Sequence, residues 1–156
     1  MWSGFNLSDA TNLSEGAPDI IDWVHFEKSR AELGPGFIRI LGYFREDGTK
    51  SVDQIEQAMH EGNATALVPP AHTLKGEARQ FGAEPLAAVA ELIESTARLC
   101  IETHRFPDEL VKDVVELRKL FQQTVALFEK ATNPLVTRAP HGEFGRKASN
   151  QDFGRI

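Results

Sequence analysis

Apolar residues recur every three to four positions along most of the chain, which is the spacing of one face of an α-helix. This pattern runs from Pro18 to Asn133, and prolines and glycines divide it into successive segments. No stretch alternates between apolar and polar residues for long enough to predict a strand. The chain is therefore predicted to be all-α.

Glycine and proline set the limits of the first two predicted helices. The first begins at Pro18 and stops at Gly34, and the second begins near Pro35 and continues to Gly62. Gly48 lies inside the second, but a single glycine costs only about 1 kcal/mol relative to alanine, so one long helix with a bend is predicted. The apolar face comprises Ile20, Ile21, Val24 and Ala31 in the first helix, and Phe37, Leu41, Phe44, Val52, Ile55 and Met59 in the second.

Prolines also place the three remaining helices. The third is predicted over about Leu67 to Phe81, because Pro69-Pro70 would be tolerated only in a first turn. Glu84-Pro85 opens the fourth, and Pro107 precedes the fifth. Helices of this length joined by short loops predict an antiparallel bundle.

The predicted domain covers residues 18–131. Residues 1–17 are polar and without sustained periodicity, and are interpreted as an N-terminal extension. Residues 132–156 form an irregular, flexible tail with two short repeats, Glu143-Phe144-Gly145-Arg146 and Asp152-Phe153-Gly154-Arg155. The repeats are either docking motifs or a chance similarity within a disordered tail.

The charge of the chain argues against nucleic acid as its partner. The net charge is −6, and residues 138–156 carry +2, which leaves −8 on residues 1–137. Binding to phosphate backbones needs a basic surface. The mildly basic tail is too weakly charged to alter this expectation.

The remaining composition favours a cytoplasmic protein. The longest apolar run is only a few residues, so no membrane span is expected, and the first residues lack a signal-peptide pattern. Cys100 is the single cysteine and falls on the apolar face of the fourth helix, where a buried small side chain is expected. The other histidines, His25, His60, His104 and His141, show no ligand spacing, so no metal site is expected.

The stretch from Ala71 to Ala83 contains the candidate chemistry. Residues three and four apart share a helix face, so His72, Lys75, Gly76 and Arg79 lie together. A neutral imidazole is nucleophilic, two cations beside it favour an anion, and glycine leaves room for another molecule. With Pro69-Pro70 in a first turn, His72 would also lie near a helix start, whose dipole favours a phosphoryl group. Charge and spacing alone are equally typical of a solvated helix face.

The same stretch resembles the histidine-containing phosphotransfer (HPt) domain family of bacterial multistep phosphorelays. The family signature has the form A-H-x-L-K-G, with G-A six residues later. The matching residues are Ala71, His72, Leu74, Lys75, Gly76, Gly82 and Ala83, with Leu86 and Glu94 continuing the trend. The resemblance extends over roughly residues 18–131 and is strongest from 71 to 94. It implies an antiparallel up-down four-helix bundle, to which the first predicted helix is an additional N-terminal helix.

The resemblance implies a phosphocarrier rather than an independent catalyst. His72 would accept a phosphoryl group from the aspartyl phosphate of a receiver domain, on the ring nitrogen farther from the backbone, and pass it to another receiver. Lys75 would help to hold that group, and Gly76 would allow the receiver to approach. Arg79 is added as a second cation from helical geometry, not from the signature.

The resemblance also implies which cofactor, metal and activity the chain lacks. It would have no cofactor of its own, and Mg²⁺ would be bound by the partner receiver. A monomer is the default expectation, independent of the resemblance. No nucleotide-binding signature is present, so no ATP-dependent kinase activity is expected. The receiver is expected to dock on an apolar patch drawn from the second and third helices.

Two residue choices depart from the family pattern. Pro69-Pro70 place His72 nearer a helix start than the family's mid-helix position, and Glu77 puts an acid where a small residue is usual, which could affect receiver choice. The alternative function is a binding module of the same fold that sequesters a receiver or another regulator without transferring phosphate. An unrelated helical protein with an accidental match is the third hypothesis.

Overall fold

Five α-helices follow one another within the part of the chain that the structure describes. The computed structural model describes residues 20–133, and no strand occurs within that range. The helices are α1 (Trp23–Leu33), α2 (Phe37–His60), α3 (Ala64–Gln80), α4 (Glu84–Glu102) and α5 (Val111–Thr132). Helices α2 to α5 form an antiparallel up-down four-helix bundle, and α1 precedes them. The all-α prediction is confirmed.

Helix α1 begins later than predicted. The Asp22 carboxylate accepts a hydrogen bond from the backbone N–H of His25, so it caps a helix that starts at Trp23 rather than at Pro18. The inward side chains are Phe26 and Ser29, whereas Val24, predicted to lie on the apolar face, is 82% exposed. The apolar pattern was misjudged because the helix starts after Asp22.

Helix α2 is continuous through Gly48, as predicted. Gly48 is buried, and a β-carbon added there would overlap the ring of Phe121 on α5. This glycine therefore allows α2 and α5 to approach closely. Of the predicted apolar face, Met59 is only half-buried, and Ala58 lies inside instead.

Helix α3 starts earlier than predicted, and this changes the position of the site. The Asn63 side chain accepts a hydrogen bond from the N–H of Ala66, so the helix begins at Ala64 rather than near Leu67. Pro69 and Pro70 therefore lie inside the helix, not in its first turn. The helix tolerates them because an early cap and the burial of Leu67 and Pro70 outweigh the two missing backbone hydrogen bonds.

Five phenylalanines link the helices through the core. Their rings lie 5.3 to 5.8 Å apart between centroids, mostly in edge-to-face arrangements. The series runs Phe26, Phe37, Phe81, Phe44 and Phe121, and so connects α1, α2, the end of α3 and α5. These contacts fix the end of α3 against its neighbours.

Helix α1 is anchored at the turn that follows α3. The N–H of Asp22 donates to the carbonyl of Gly82 at 2.8 Å, and the hydroxyl of Ser29 donates to the carbonyl of Gln80 at 2.6 Å. Gly82 has a φ of +81°, and a β-carbon there would lie 2.6 Å from the carbonyl oxygen of Asp22. Glycine is therefore favoured at this turn for two reasons: it adopts a positive φ without strain, and it leaves room for the close approach of α1.

The compact unit that carries the site ends at Thr124, and a second unit begins at Val125. Both the N-terminal extension of residues 1–17 and the repeats of the predicted tail lie outside the described residues. The predicted domain limits of 18 and 131 stay predictions. Cys100 is buried, as its position on the apolar face of the helix predicts. Within residues 20–133, no helix is both long and apolar enough to cross a membrane.

Candidate functional site

Helix α3 presents His72 at its middle. His72 is the ninth of the 17 residues of the helix, so the expected position near a helix start is wrong. The cause is the early cap at Asn63, which adds a turn before the prolines. The field of a helix terminus weakens within the first turn, so the helix dipole contributes little at His72.

The two faces of α3 differ in burial. The inner face packs into the bundle core through Leu67, Ala71, Leu74 and Ala78. On the outer face, the side chain of His72 is 63% exposed. A β-carbon added at Gly76 would meet no atom within 4 Å, so the space beside the imidazole is open. No packing within the described residues requires a glycine here.

A buried carboxylate on α4 connects the polar groups of the site. Glu94 is 7% exposed, and its Oε2 lies 3.0 Å from Nδ1 of His72. Lys75 Nζ lies 2.8 Å from Oε1 of Glu94, and Arg98 donates to Oε2 through Nη2 at 2.7 Å. One carboxylate therefore binds the imidazole and two cations from two helices.

The surroundings of Glu94 keep it ionised. Burial raises the pKa of this carboxyl group, but hydrogen bonding by Lys75, Arg98 and His72 outweighs burial and lowers the pKa to about 2. An ionised carboxylate only accepts hydrogen bonds, so a neutral His72 must carry its proton on Nδ1. The lone pair is then on Nε2, the ring nitrogen on the side away from Glu94.

The cluster is suited to receiving an anion. With His72 neutral, the two cations exceed the single carboxylate by one positive charge. Lys75 is mostly buried against Glu94, with 19% of its side chain exposed, whereas Arg98 is 57% exposed. An anion at Nε2 would therefore meet an excess of positive charge held beside the ring.

Sequence reasoning missed the roles of Glu94 and Arg98. Glu94 entered only as part of the family trend, and Arg98 did not enter at all. A signal was present, because Glu94 falls among the apolar positions of α4 with Ala90, Ile93 and Ala97. A carboxylate on a buried helix face needs partners, and Arg98 lies four residues later on the same helix.

Arg79 has partners of its own. Its guanidinium donates to Glu91 at 2.6 Å and lies 3.8 Å from Glu84, both on α4. Arg79 is seven residues after His72, so the two share a face of α3 but are two turns apart. The structure brings together His72, Lys75, Glu94 and Arg98, and it holds Arg79 in a neighbouring cluster of ion pairs.

The opposite side of α3 faces α2 and carries unpaired charge. Glu77 is half-buried, and its Oε1 is buried without a hydrogen-bond partner among the described residues. Burial raises the pKa of this carboxyl group, and the nearby charge of Asp47 raises it further. This is the acid that replaces the family's usual small residue.

Metal ligands are not grouped in the described part of the chain. Within residues 20–133, no three histidine, cysteine, aspartate or glutamate side chains come together to hold an ion. The ring of His25 instead lies 3.1 Å from the backbone carbonyl of Gln80, at the anchor of α1. This contact with Gln80 explains the position of the His25 ring.

Comparison with known proteins agrees with this geometry. The family model of the Hpt domain matches residues 39–127. The crystal structure of histidine-containing phosphotransfer protein B from Pseudomonas aeruginosa is similar in fold, with a TM-score of 0.62 and 22% sequence identity. The alignment covers 72% of this chain and 93% of that chain. No curated protein sequence matches.

Proposed function

Because the chain belongs to the Hpt domain family, we propose that it is a phosphocarrier of a multistep phosphorelay. In this proposal His72 takes a phosphoryl group from the aspartyl phosphate of one receiver domain and passes it to another. The observation that carries the proposal is the contact between Glu94 and Nδ1, which leaves Nε2 of an exposed imidazole as the nucleophile.

The proposed transfer step needs no additional base, because no proton leaves the ring of His72. The Nε2 lone pair attacks phosphorus, an N–P bond forms, and the bond to the aspartyl oxygen breaks to release the receiver's carboxylate. The ring keeps its proton on Nδ1 and becomes positively charged. Glu94 holds that proton in a hydrogen bond and stabilises the charge, so it acts as a positioning residue. Attack by a second receiver's carboxylate reverses the same step.

The remaining groups act on the phosphoryl oxygens and on access. Lys75 and Arg98 provide positive charge near the imidazole, where both pair with Glu94, and Gly76 leaves the surface open to the receiver. Arg79 lies farther along the same face, and we propose that it makes a secondary electrostatic contribution to holding the phosphoryl group. Phosphoryl transfer uses Mg²⁺ to neutralise charge, and we assign that ion to the receiver.

Phosphorylation of His72 is tested with purified components. A receiver domain is phosphorylated with acetyl phosphate and Mg²⁺, separated from the donor, and mixed with wild type, His72→Gln or His60→Gln. His60 is an exposed histidine at the end of α2 and serves as the matched control. The expected result is phosphorylation of wild type and of His60→Gln, but not of His72→Gln. The phosphoryl label should be lost in acid and stable in base.

Two other results would exclude transfer through His72. Binding of receivers without any label would support the alternative, a module that sequesters a receiver or another regulator. A label that persists on His72→Gln would assign the phosphoryl group to another residue. Light scattering on the same samples tests the proposed monomeric state.

A further inference from the structure

The two edges of α3 differ in how their charges are paired. On the side of α4, every charged residue near the site forms an ion pair within the chain: Lys75, Arg79, Glu84, Glu91, Glu94 and Arg98. On the side of α2, Asp47, Lys50 and Glu77 form no ion pair or side-chain hydrogen bond with any described residue. We call these three residues the α2-side edge.

The α2-side edge is continuous with the exposed face of His72. An open groove runs between α2 and α3, and its lining includes Asp47, Lys50 and Gln54 from α2 and Thr73 from α3. Thr73 follows His72 directly, and Glu77 lies one turn after Thr73 on the same helix. The groove therefore begins one residue from His72, within reach of a receiver domain that docks over that residue.

The carboxylates of this edge form no ion pair with any residue of the described range 20–133. Glu77 has one oxygen buried without a partner, and Asp47 places a second negative charge close enough to act on it. A half-buried carboxylate beside another is unfavourable unless a cation joins them. The described cations of α3 and α4 near the site are bound to other carboxylates, and Lys50 of the same edge pairs with neither Asp47 nor Glu77. A basic group on a docking partner would supply the missing counter-charge.

We propose that the α2-side edge selects the receiver by charge, and that it fits a receiver whose docking face presents a lysine or arginine to Asp47 and Glu77. This inference rests on the proposed function and names its specificity. The three cations and three carboxylates on the α4 side are paired with one another and discriminate little between partners. Unpaired charges, in contrast, favour one partner and disfavour another of opposite sign.

Charge complementarity changes association more than chemistry. Reversing the edge should raise the receiver concentration at half-maximal transfer rate, and should leave the rate at saturating receiver nearly unchanged. The effect should also weaken with salt, because contacts between exposed charges are screened over about 8 Å at physiological ionic strength. A merely structural role of Asp47 or Glu77 would show neither dependence.

The test uses the receiver that loads wild-type His72 fastest in the assay above. Transfer rates are measured against receiver concentration for wild type, Asp47→Lys, Glu77→Lys, Glu77→Gln and Glu116→Lys. Glu116 is exposed on α5, so its variant has the same change of net charge away from the groove. Asp47 is exposed, so Asp47→Lys keeps the test valid if Glu77→Lys misfolds.

For the two edge Lys variants, the half-maximal concentration should rise about tenfold at low salt, less at high salt, with a smaller rise for Glu77→Gln. Glu116→Lys should match wild type. Equal half-maximal concentrations in all five proteins, or an equal rise in Glu116→Lys, would overturn the inference while the proposed function stands. If no receiver loads wild type, the proposed function fails, and the inference fails with it.

Discussion

Glu94 determines how the exposed imidazole of His72 is held. A carboxylate has about four lone-pair positions, and Glu94 uses them for Nδ1 of His72 and for the cations of Lys75 and Arg98. The arrangement resembles the way an aspartate orients a catalytic histidine: it sets the tautomer and stabilises the charged ring. In the proposed transfer, the nucleophile Nε2 is therefore oriented by a residue that is almost entirely buried.

Glu94→Gln should lower the free energy of unfolding at neutral pH. The pKa of Glu94 is lowered from 4.5 to about 2 in the fold, so its ionised form stabilises the native state. That difference corresponds to about 3 kcal/mol, which is fully present above pH 4.5 and is lost as the pH falls towards 2. Urea unfolding of wild type and variant between pH 2 and pH 7 measures it.

The control for this variant is Glu91→Gln. Glu91 pairs with Arg79 at the surface, where its side chain is 51% exposed, and such pairs contribute about 1 kcal/mol or less. The difference between Glu94→Gln and wild type should shrink as the pH falls. A difference independent of pH would show that the carboxylate charge is not what stabilises the fold.

Gly76→Ala should separate stability from transfer. A β-carbon at Gly76 meets no atom of the chain within 4 Å, and alanine in a helix is more favourable than glycine by about 0.5–1 kcal/mol. The variant should therefore unfold at a higher urea concentration, yet accept phosphoryl groups from a receiver more slowly because the methyl group obstructs docking. Unchanged transfer rates would show that no partner approaches at this point.

At the scale of the elements, α3 shows tertiary structure overriding a local rule. Two consecutive prolines predicted a helix start, but the helix begins at Ala64 and passes through both. Proline disfavours a helix interior because it removes a backbone hydrogen bond, a local penalty. Burial of Leu67 and Pro70 and the cap at Asn63 offset that penalty, and only the assembled bundle supplies the burial.

Gly82→Ala should detach α1 from the end of α3. Gly82 and Gly62 both have positive φ values, +81° and +66°, so alanine at either is strained by about 1–2 kcal/mol. Only at Gly82 would the methyl group also press on the carbonyl of Asp22, 2.6 Å away. Gly82→Ala should therefore lose about 1 kcal/mol more stability than Gly62→Ala, as one hydrogen bond is disrupted.

Hydrogen exchange shows which part of the protein loses stability in Gly82→Ala. Amides of α1 should exchange faster in Gly82→Ala than in Gly62→Ala, where a β-carbon meets only the ring of Phe106 at 3.5 Å. Equal protection of α1 in both variants would mean that the anchor at Gly82 does not hold the helix.

At the scale of the whole molecule, the bundle closes where α2 and α5 meet at Gly48 and Phe121. Arg118 reinforces this contact by donating to Glu56 at 2.6 Å, so one apolar and one polar contact join the same two helices. Residues 73 positions apart in sequence thus determine how closely α2 and α5 approach each other.

Gly48→Ala should destabilise the protein although alanine is the better helix former. The added methyl group overlaps the ring of Phe121, and overpacking of a core costs about 1–3 kcal/mol. Gly42→Ala is the matched control on the same helix, because its β-carbon meets no atom within 4 Å. That variant should gain about 0.5–1 kcal/mol. The same sign of change in both denaturation curves would contradict the packing role of Gly48.

The sequence alone determined the helical class, the order of the helices and the face that carries His72, Lys75 and Gly76. These features are local: helical periodicity, glycine and proline breaks and spacings of three or four residues are properties of a single segment. Only the tertiary structure decided the start of α3, the central position of His72 and the meeting of Glu94 with His72. Those features depend on contacts between segments, whose free energies of burial and ion pairing no single segment contains.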